Sequence, residues 1–199
     1  MNLIKNIFTI VGFIVIVGGG FAFVKYDGMK RIDQVQKLTP NALPEYLKMF
    51  DKVLTTGDAA KAMIRRVKVD KDVSNQDVEE SLEAIAISRG IKSVGMLPLS
   101  AEITARTGKD RRFLKIYSYC NPIIAGDFVD YSMAFSAFLP CRIALVEDKN
   151  GDRWLYAMAM ELMIEGGYWL EPEMLKKANN VRKTIYDMMD MAAVGDLPD

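Results

Sequence analysis

Histidine is absent from this 199-residue chain, and cysteine occurs only twice, at Cys120 and Cys141. Without imidazole, the commonest general base and the commonest metal ligand are both missing. Ser-His and Cys-His catalysis and His-rich metal centres are therefore excluded within this chain. An excess of either charge is missing too, because 26 basic residues balance 26 acidic ones and no long basic stretch occurs. A surface that tracks nucleic-acid phosphates needs clustered Lys and Arg, so no nucleic-acid partner is expected. Internal repeats and low-complexity linkers are lacking as well. The paired acids (Glu79-Glu80, Glu147-Asp148, Glu171 with Glu173) sit where solvated helix or turn charges belong. None of them suggests an acid–base pair. No catalytic residue and no cofactor are expected.

What the chain does have is an uncharged apolar run from Ile7 to Val24, interrupted by a single hydroxyl at Thr9. As a helix it spans about 27 Å, close to the hydrocarbon thickness of a bilayer. A cleaved signal peptide is the rival reading, with Lys5 in a short basic head and Gly20-Phe21-Ala22 offering small residues for cleavage. The run is longer than a usual signal-peptide core, which favours a retained anchor. Gly18, Gly19 and Gly20 would each cost a water-soluble helix about 1 kcal/mol relative to Ala. In lipid, small residues let a second helix approach, and Gly18 with Ala22 has the small-xxx-small spacing.

Sidedness has two readings. A small basic head before an apolar run reads as an export signal and delivers the domain outside. Counting Lys25, Lys30, Arg31 and Lys37 against Lys5 and the α-amine instead retains it in the cytoplasm. The first reading gives a single-pass protein of a bacterial inner membrane with a periplasmic domain; the cytoplasmic side is the alternative.

Beyond the anchor, Met29 to Leu38 reads as a helical stalk ending at Thr39-Pro40. A further helix near Pro44 carries Leu43, Leu47, Phe50, Val53 and Leu54 as an apolar stripe at helical spacing. Ala62 to Val69 reads as a strand, and Ser74-Asn75-Gln76-Asp77 resembles a capping box. The helix it opens directs Val78, Leu82 and Ile85 inward and stops at a C-cap glycine, Gly90. Four more strands follow, over Ile91–Leu99, Arg112–Tyr119, Cys141–Glu147 and Arg153–Leu162. A short helical turn over Ala101–Arg106 separates the first two of these. Asn150-Gly151 makes a tight turn between the last two, and a long helix over Pro172–Ala193 closes the domain.

The fold expected is α+β: a two-layer sandwich of a mostly antiparallel sheet of about five strands with helices on one face, behind one transmembrane helix. The organisation is a tail over 1–6, the span over 7–24, a helical stalk and linker over 25–59, the α+β domain over 60–193 and a flexible tail over 194–199.

The stretch TGKDRRFLKIYSYCNP (Thr107 to Pro122), followed by FLPCRIALVEDKNGDRWLYAM (Phe138 to Met158), resembles the bacterial and archaeal family called domain of unknown function 302. The resemblance rests chiefly on a Cys-Asn-Pro step and a Leu-Pro-Cys-Arg step and covers roughly Ala60 to Ala193. It implies a small α+β sandwich and lends no biochemical activity.

Cys120 closes one strand and Cys141 opens the next, which places both sulfurs at one end of the sheet if those strands are antiparallel neighbours. A disulfide there would close a loop of about 20 residues, worth roughly 3 kcal/mol in the chain-entropy model. A reactive thiol is the functional alternative, with Arg142 supporting the thiolate; two small buried residues are the bland one. Met158, Met160 and Met163, with Met188, Met189 and Met191, invite a Cu(I) reading. Period-two alternation accounts for the same letters, with Trp154, Tyr156, Met158 and Met160 directed to the core. The DKNGD turn lacks the spaced carboxylates of a calcium loop. Tyr117, Tyr119, Phe128, Tyr131, Phe135 and Phe138 cluster around the crossover and suit an apolar pocket or an interface.

Three functions follow as expectations. The first is a membrane-anchored, non-catalytic accessory subunit that binds a membrane protein complex through its helix and its domain, or else a homo-oligomer. The second is a thiol-dependent redox or sulfur-handling protein using Cys141 and Cys120. The third is a small-ligand sensor with an aromatic pocket.

Overall fold

The computed structural model describes residues 2–198, with side chains described from Asn6 to Pro198. Helix α1 (Asn2–Lys25) is followed by α2 (Gly28–Gln36), α3 (Ala42–Thr56) and the single turn α4 (Ala59–Ala62). The domain then runs β1 (Ile64–Lys68), α5 (Asn75–Ser88), β2 (Lys92–Leu97), α6 (Leu99–Thr107) and β3 (Leu114–Cys120). The crossover is α7 (Pro122–Tyr131) and a 3-10 turn (Met133–Phe138). It leads to the hairpin β4 (Cys141–Glu147) and β5 (Arg153–Met158), then α8 (Glu161–Glu165) and α9 (Pro172–Val194).

The five strands form one sheet in the order β1-β5-β4-β3-β2, antiparallel at every pairing. The α+β sandwich expected from the sequence is the fold. Local signals account for many of the boundaries. Ser74 accepts a bond from the Asp77 N–H while the Asp77 carboxylate accepts one from the Ser74 N–H, a complete capping box at the start of α5. Gly90, at φ 66°, ends that helix in the left-handed conformation that a side chain would oppose. Gly151, at φ 79°, turns the β4–β5 hairpin, with Asp148 accepting bonds from the Asn150 and Asp152 N–H groups.

The core lies between the sheet and the pair α5 and α9. Val78, Leu82 and Ile85 from α5 meet Ile185, Met188 and Met189 from α9 over Ile143, Leu145 and Leu155 of the sheet, all of them essentially inaccessible. Each such side chain contributes roughly 1.5–3 kcal/mol by leaving water.

One expectation about faces is corrected here. On β5 the period of two holds but the phase is inverted: Leu155 and Ala157 are buried, while Trp154, Tyr156 and Met158 lie half-buried on the other face. There Arg66 stacks 4.9 Å from the Trp154 ring centroid, with the Lys68 amine 5.5 Å away. Leu155 and Ala157 are less bulky than Trp154 and Tyr156, which suits the face that α9 packs over. The strand also ends at Met158, because Met160 already caps α8 and turns its side chain into the core. Helix α3 carries the apolar stripe that its spacing gives, but most of that stripe stays outside the core. Leu43, Leu47, Phe50 and Leu54 face outward, each more than half exposed, while Val53 is half-buried and Ala42 alone is fully buried.

Helix α1 is long and apolar enough to cross a membrane, with a mean hydropathy of 2.5 over Asn6–Lys25 and no part of that span buried. Those are the properties of a membrane span or of a signal sequence.

Candidate functional site

The crossover between β3 and β4 builds a cavity at one end of the sheet. Its two sequence steps have structural jobs. In the Cys-Asn-Pro step, Cys120 ends β3, Asn121 accepts bonds from the N–H groups of Ile123 and Ile124, and Pro122 occupies the first turn of α7. Proline fits there because the first helical N–H groups have no helical partner. The Asn121 amide also donates to the Gly90 carbonyl, which fastens the start of α7 to the end of α5. In the Leu-Pro-Cys-Arg step, a cis Leu139–Pro140 peptide returns the chain to Cys141, the first residue of β4.

Pairing of Tyr119 with Cys141 brings the two cysteines to the same sheet end, one register step apart. Both thiols are free. Helix α7 and the 3-10 turn fold over this end, where Phe128 and Phe135 pack with ring centroids 4.9 Å apart. Helices α8 and α9 close the other side.

The result is a strongly apolar cavity of about 120 Å³. It gathers Tyr119, Cys120, Phe128 and Phe135 from the predicted residues, and Cys141 as well. Phe138 and Arg142, both exposed, stand at its rim. Tyr117 and Tyr131 are not part of it. Tyr117 is buried further along β3 and donates to Glu79 at 2.9 Å, and Tyr131 is about half exposed with its ring 6.3 Å from Phe135. Gly18 and Ala22 lie on α1, exposed, with nothing within 4 Å of a Cβ built at Gly18.

Sequence reasoning missed the far wall, which Ile124 of α7, Ile164 of α8 and Val181 and Ile185 of α9 supply. Their helical stripes mark them as core, but no local pattern says which core residues border a void. Met158, Met160 and Met163 also border it, so five sulfur-bearing side chains surround one space. Met188 and Met189 belong instead to the central core. Among the described residues there is no group of three or more His, Cys, Asp or Glu placed to hold a metal ion.

Burial sets the chemistry of the thiols. It pushes Cys141 up to about 11, the neighbouring Cys120 adds to the rise, and Arg142 opposes it with the smallest effect. Cys120 is raised by burial as well. Both stay protonated near neutral pH, so Arg142 does not make Cys141 the thiolate that its adjacency in sequence suggests. Burial also raises the Tyr119 phenol, reinforced by Glu83 and Glu79.

A second polar cluster lies along β3. The Lys115 amine donates to both oxygens of Glu79, at 2.8 and 2.7 Å, and Tyr117 donates to the same carboxylate. Burial, followed by that bond, holds the Tyr117 phenol well above its usual value. Glu79 is thus a bonded partner of the sheet, and the expectation of a freely solvated helix charge is corrected.

Comparison with known proteins gives a fold and a family. The structure is similar to the crystal structure of an uncharacterized conserved protein DUF302 from Bacillus stearothermophilus, with a TM-score of 0.54 and 17% sequence identity. The match covers 65% of this chain and 98% of the other. No curated protein matches the sequence. The model of "Domain of unknown function DUF302" matches residues 65–192, which hold the cavity and all of the sheet but Ile64, and the chain belongs to that family.

Proposed function

We propose that this chain is a membrane-tethered binding protein whose domain takes a small apolar ligand into the cavity between the crossover and α9. The cavity itself carries the reading. A void of about 120 Å³ is close in size to dry apolar cavities that admit benzene, roughly 150 Å³. Its aromatic and sulfur-rich lining suits a polarisable ring, since thioether sulfur makes favourable contacts with aromatic edges. Ligand pockets combine such walls with few polar groups. Here Tyr119 and Asn121 line the wall, and the charged group is Arg142, exposed at the rim and without an ion-pair partner among the described residues. The ligand class is therefore a single ring, with or without a carboxylate to meet Arg142.

Thermal unfolding of the detergent-solubilised chain with benzoate, benzyl alcohol and toluene tests this. A concentration-dependent rise in the midpoint is expected, lost in Ala125→Leu, where a larger side chain on α7 would fill the cavity that Ala125 lines. In Arg142→Ala, only the preference for benzoate over benzyl alcohol should disappear. No shift with any ring compound would refute the reading.

The accessory-subunit reading keeps one specific support. Gly18 and Ala22 lie four residues apart on one exposed face of α1, with nothing within 4 Å of a Cβ at Gly18, which leaves room for a partner helix to approach. A stoichiometric companion on a native gel after mild extraction, lost in Gly18→Ile, would favour it. A lone monomer or homodimer would count against it. The thiol-dependent reading draws no support from thiols that burial keeps protonated. A periplasmic domain on a bacterial inner membrane remains part of the proposal.

A further inference from the structure

The core of the domain leaves one set of large apolar side chains unused. On α3, Leu43, Leu47, Phe50 and Leu54 recur at intervals of four, three and four residues and are 56–67% exposed. On α2, Met29, Ile32 and Val35 recur every third residue and are 46–72% exposed, beside Lys30 and Arg31. The loop after α8 adds Tyr168 and Trp169, 55% and 62% exposed. None of these belongs to the hydrophobic core.

The three features are joined. The Thr39 N–H donates to the Gly167 carbonyl at 3.0 Å, and Leu38 pairs with Tyr168 in an isolated antiparallel bridge. The Thr39 hydroxyl donates to the Glu165 carbonyl, and the Asn41 amide to the Glu165 carboxylate at 2.8 Å. The aromatic loop is thereby fastened to the chain between α2 and α3. On its other side, α3 is separated from β1 and β5 by a cleft of about 1120 Å³. Its outward stripe is not a core face left slightly open.

We propose that the α2 and α3 stripes, with Tyr168 and Trp169, form an interfacial surface that lies in the headgroup region of a phospholipid bilayer. The occupant follows from three observations. Only residues 26–41 separate the apolar helix α1 from α3, so with α1 in the membrane the stripes are held at its surface. Such a tether makes even weak insertion persistent, because the second contact becomes intramolecular. Lys25 ends α1, and Lys30, Arg31 and Lys37 follow in this stretch against Asp27 and Asp33, the latter paired with Lys37, which leaves Lys25, Lys30 and Arg31 as a net basic flank complementary to anionic headgroups. Tyr and Trp are the aromatic residues that favour a boundary with one wet and one apolar side.

The chain has two tryptophans, Trp154 and Trp169, so Trp154→Phe leaves a single reporter in the loop. Full-length Trp154→Phe would be reconstituted into vesicles of phosphatidylcholine and phosphatidylglycerol, with or without brominated acyl chains. Loss of Trp169 emission in the brominated vesicles is expected. The double change Leu47→Glu with Leu54→Glu should diminish that loss and let aqueous acrylamide reach Trp169, while α1 keeps the chain with the vesicles on flotation. Leu47→Ser with Leu54→Ser serves as a milder pair, and circular dichroism confirms that each variant is folded. Trp169 emission unaffected by bromine in an inserted chain would overturn the proposal, as would quenching that the substitutions leave unchanged. Cross-linking of a Leu47→Cys chain into dimers, with Trp169 unquenched, would assign the stripe to a second copy and overturn it too. Ring-compound binding is read separately, so the failure of one proposal is not the failure of the other.

Discussion

A thiol in the wall of an apolar cavity stays protonated because its anion would lose hydration there and gain no strong partner in return. Cys141, pushed up to about 11, should therefore alkylate slowly at pH 8, and Cys120 should be labelled first. Peptide mass mapping after brief iodoacetamide treatment reads the order directly; earlier labelling of Cys141 would contradict the burial argument. The same shift makes a stability prediction. Between the ordinary value of 9.0 and about 11, the unfolded chain ionises this thiol and the folded chain does not. Stability fully present at neutral pH is thus lost as pH rises through that window, by roughly 2 kcal/mol, and Cys141→Ala should lose less. Urea unfolding at pH 8 and pH 10.5 measures the difference. The Glu79–Lys115–Tyr117 cluster behaves differently, because Lys115 is only 17% exposed and Glu79 33%. Removing one charge strands the other, so Glu79→Ala is expected to cost about 2–3 kcal/mol, below the fully buried limit. The double change Glu79→Leu with Lys115→Met should cost much less. A double variant as unstable as the single one would show that the ion pair itself stabilises the fold. Nothing local to Glu79 announces this partnership, since Lys115 lies thirty-six residues away in sequence.

Elements with strong local signals were legible. The capping box at Ser74, the glycine stop at Gly90, the Asn150-Gly151 turn and the span of β4 all stand where the residues placed them. What failed was the assignment of faces. Alternation along β5 specifies two faces but not which one α9 covers, and the bulky Trp154 and Tyr156 took the outer one. Likewise the stripe of α3 has helical spacing whether it meets a core or a membrane. The candidate site was half legible for the same reason. Its crossover residues cluster in sequence, whereas Ile164, Val181 and Ile185 arrive from helices that only the fold brings near. The Asn121 cap holds the crossover half in place through two accepted bonds and one donated to Gly90. Asn121→Ala should lower stability by about 1 kcal/mol, the usual worth of an N-cap. Because α7 carries Phe128 over the cavity, the same substitution should weaken ring-compound binding more than it lowers stability at a distant helix. Thermal shifts with and without ligand separate the two effects. Binding unchanged in a folded Asn121→Ala chain would show that α7 does not govern access.

For the whole molecule, the decisive quantity is where the domain sits relative to the bilayer. Length and hydropathy make α1 fit to span it, but charge counting and the export-signal pattern assign opposite sides to everything after Lys25. The native thiols are poor reporters of sidedness, because Cys120 and Cys141 are both partly buried and both raised by burial. Asn150 is better placed, exposed at the tip of the β4–β5 hairpin, at the opposite end of those strands from Cys141 and Met158. Its side chain is not needed for the turn, which rests on Asp148 accepting from backbone N–H groups and on Gly151. A chain carrying Asn150→Cys with Cys120→Ala and Cys141→Ala should therefore fold and present one reactive thiol. An external domain predicts that a membrane-impermeant maleimide labels it in intact cells, and that the intact mass of the purified chain still includes residues 1–24. Labelling only after permeabilisation would place the domain in the cytoplasm and leave the positive-charge count as the governing term. An intact mass beginning at Phe23 would mean that the apolar run had been removed as a signal sequence. In that case the stripes of α2 and α3, no longer tethered, would have to bind anionic vesicles on their own, and flotation of the shortened chain would show whether they do.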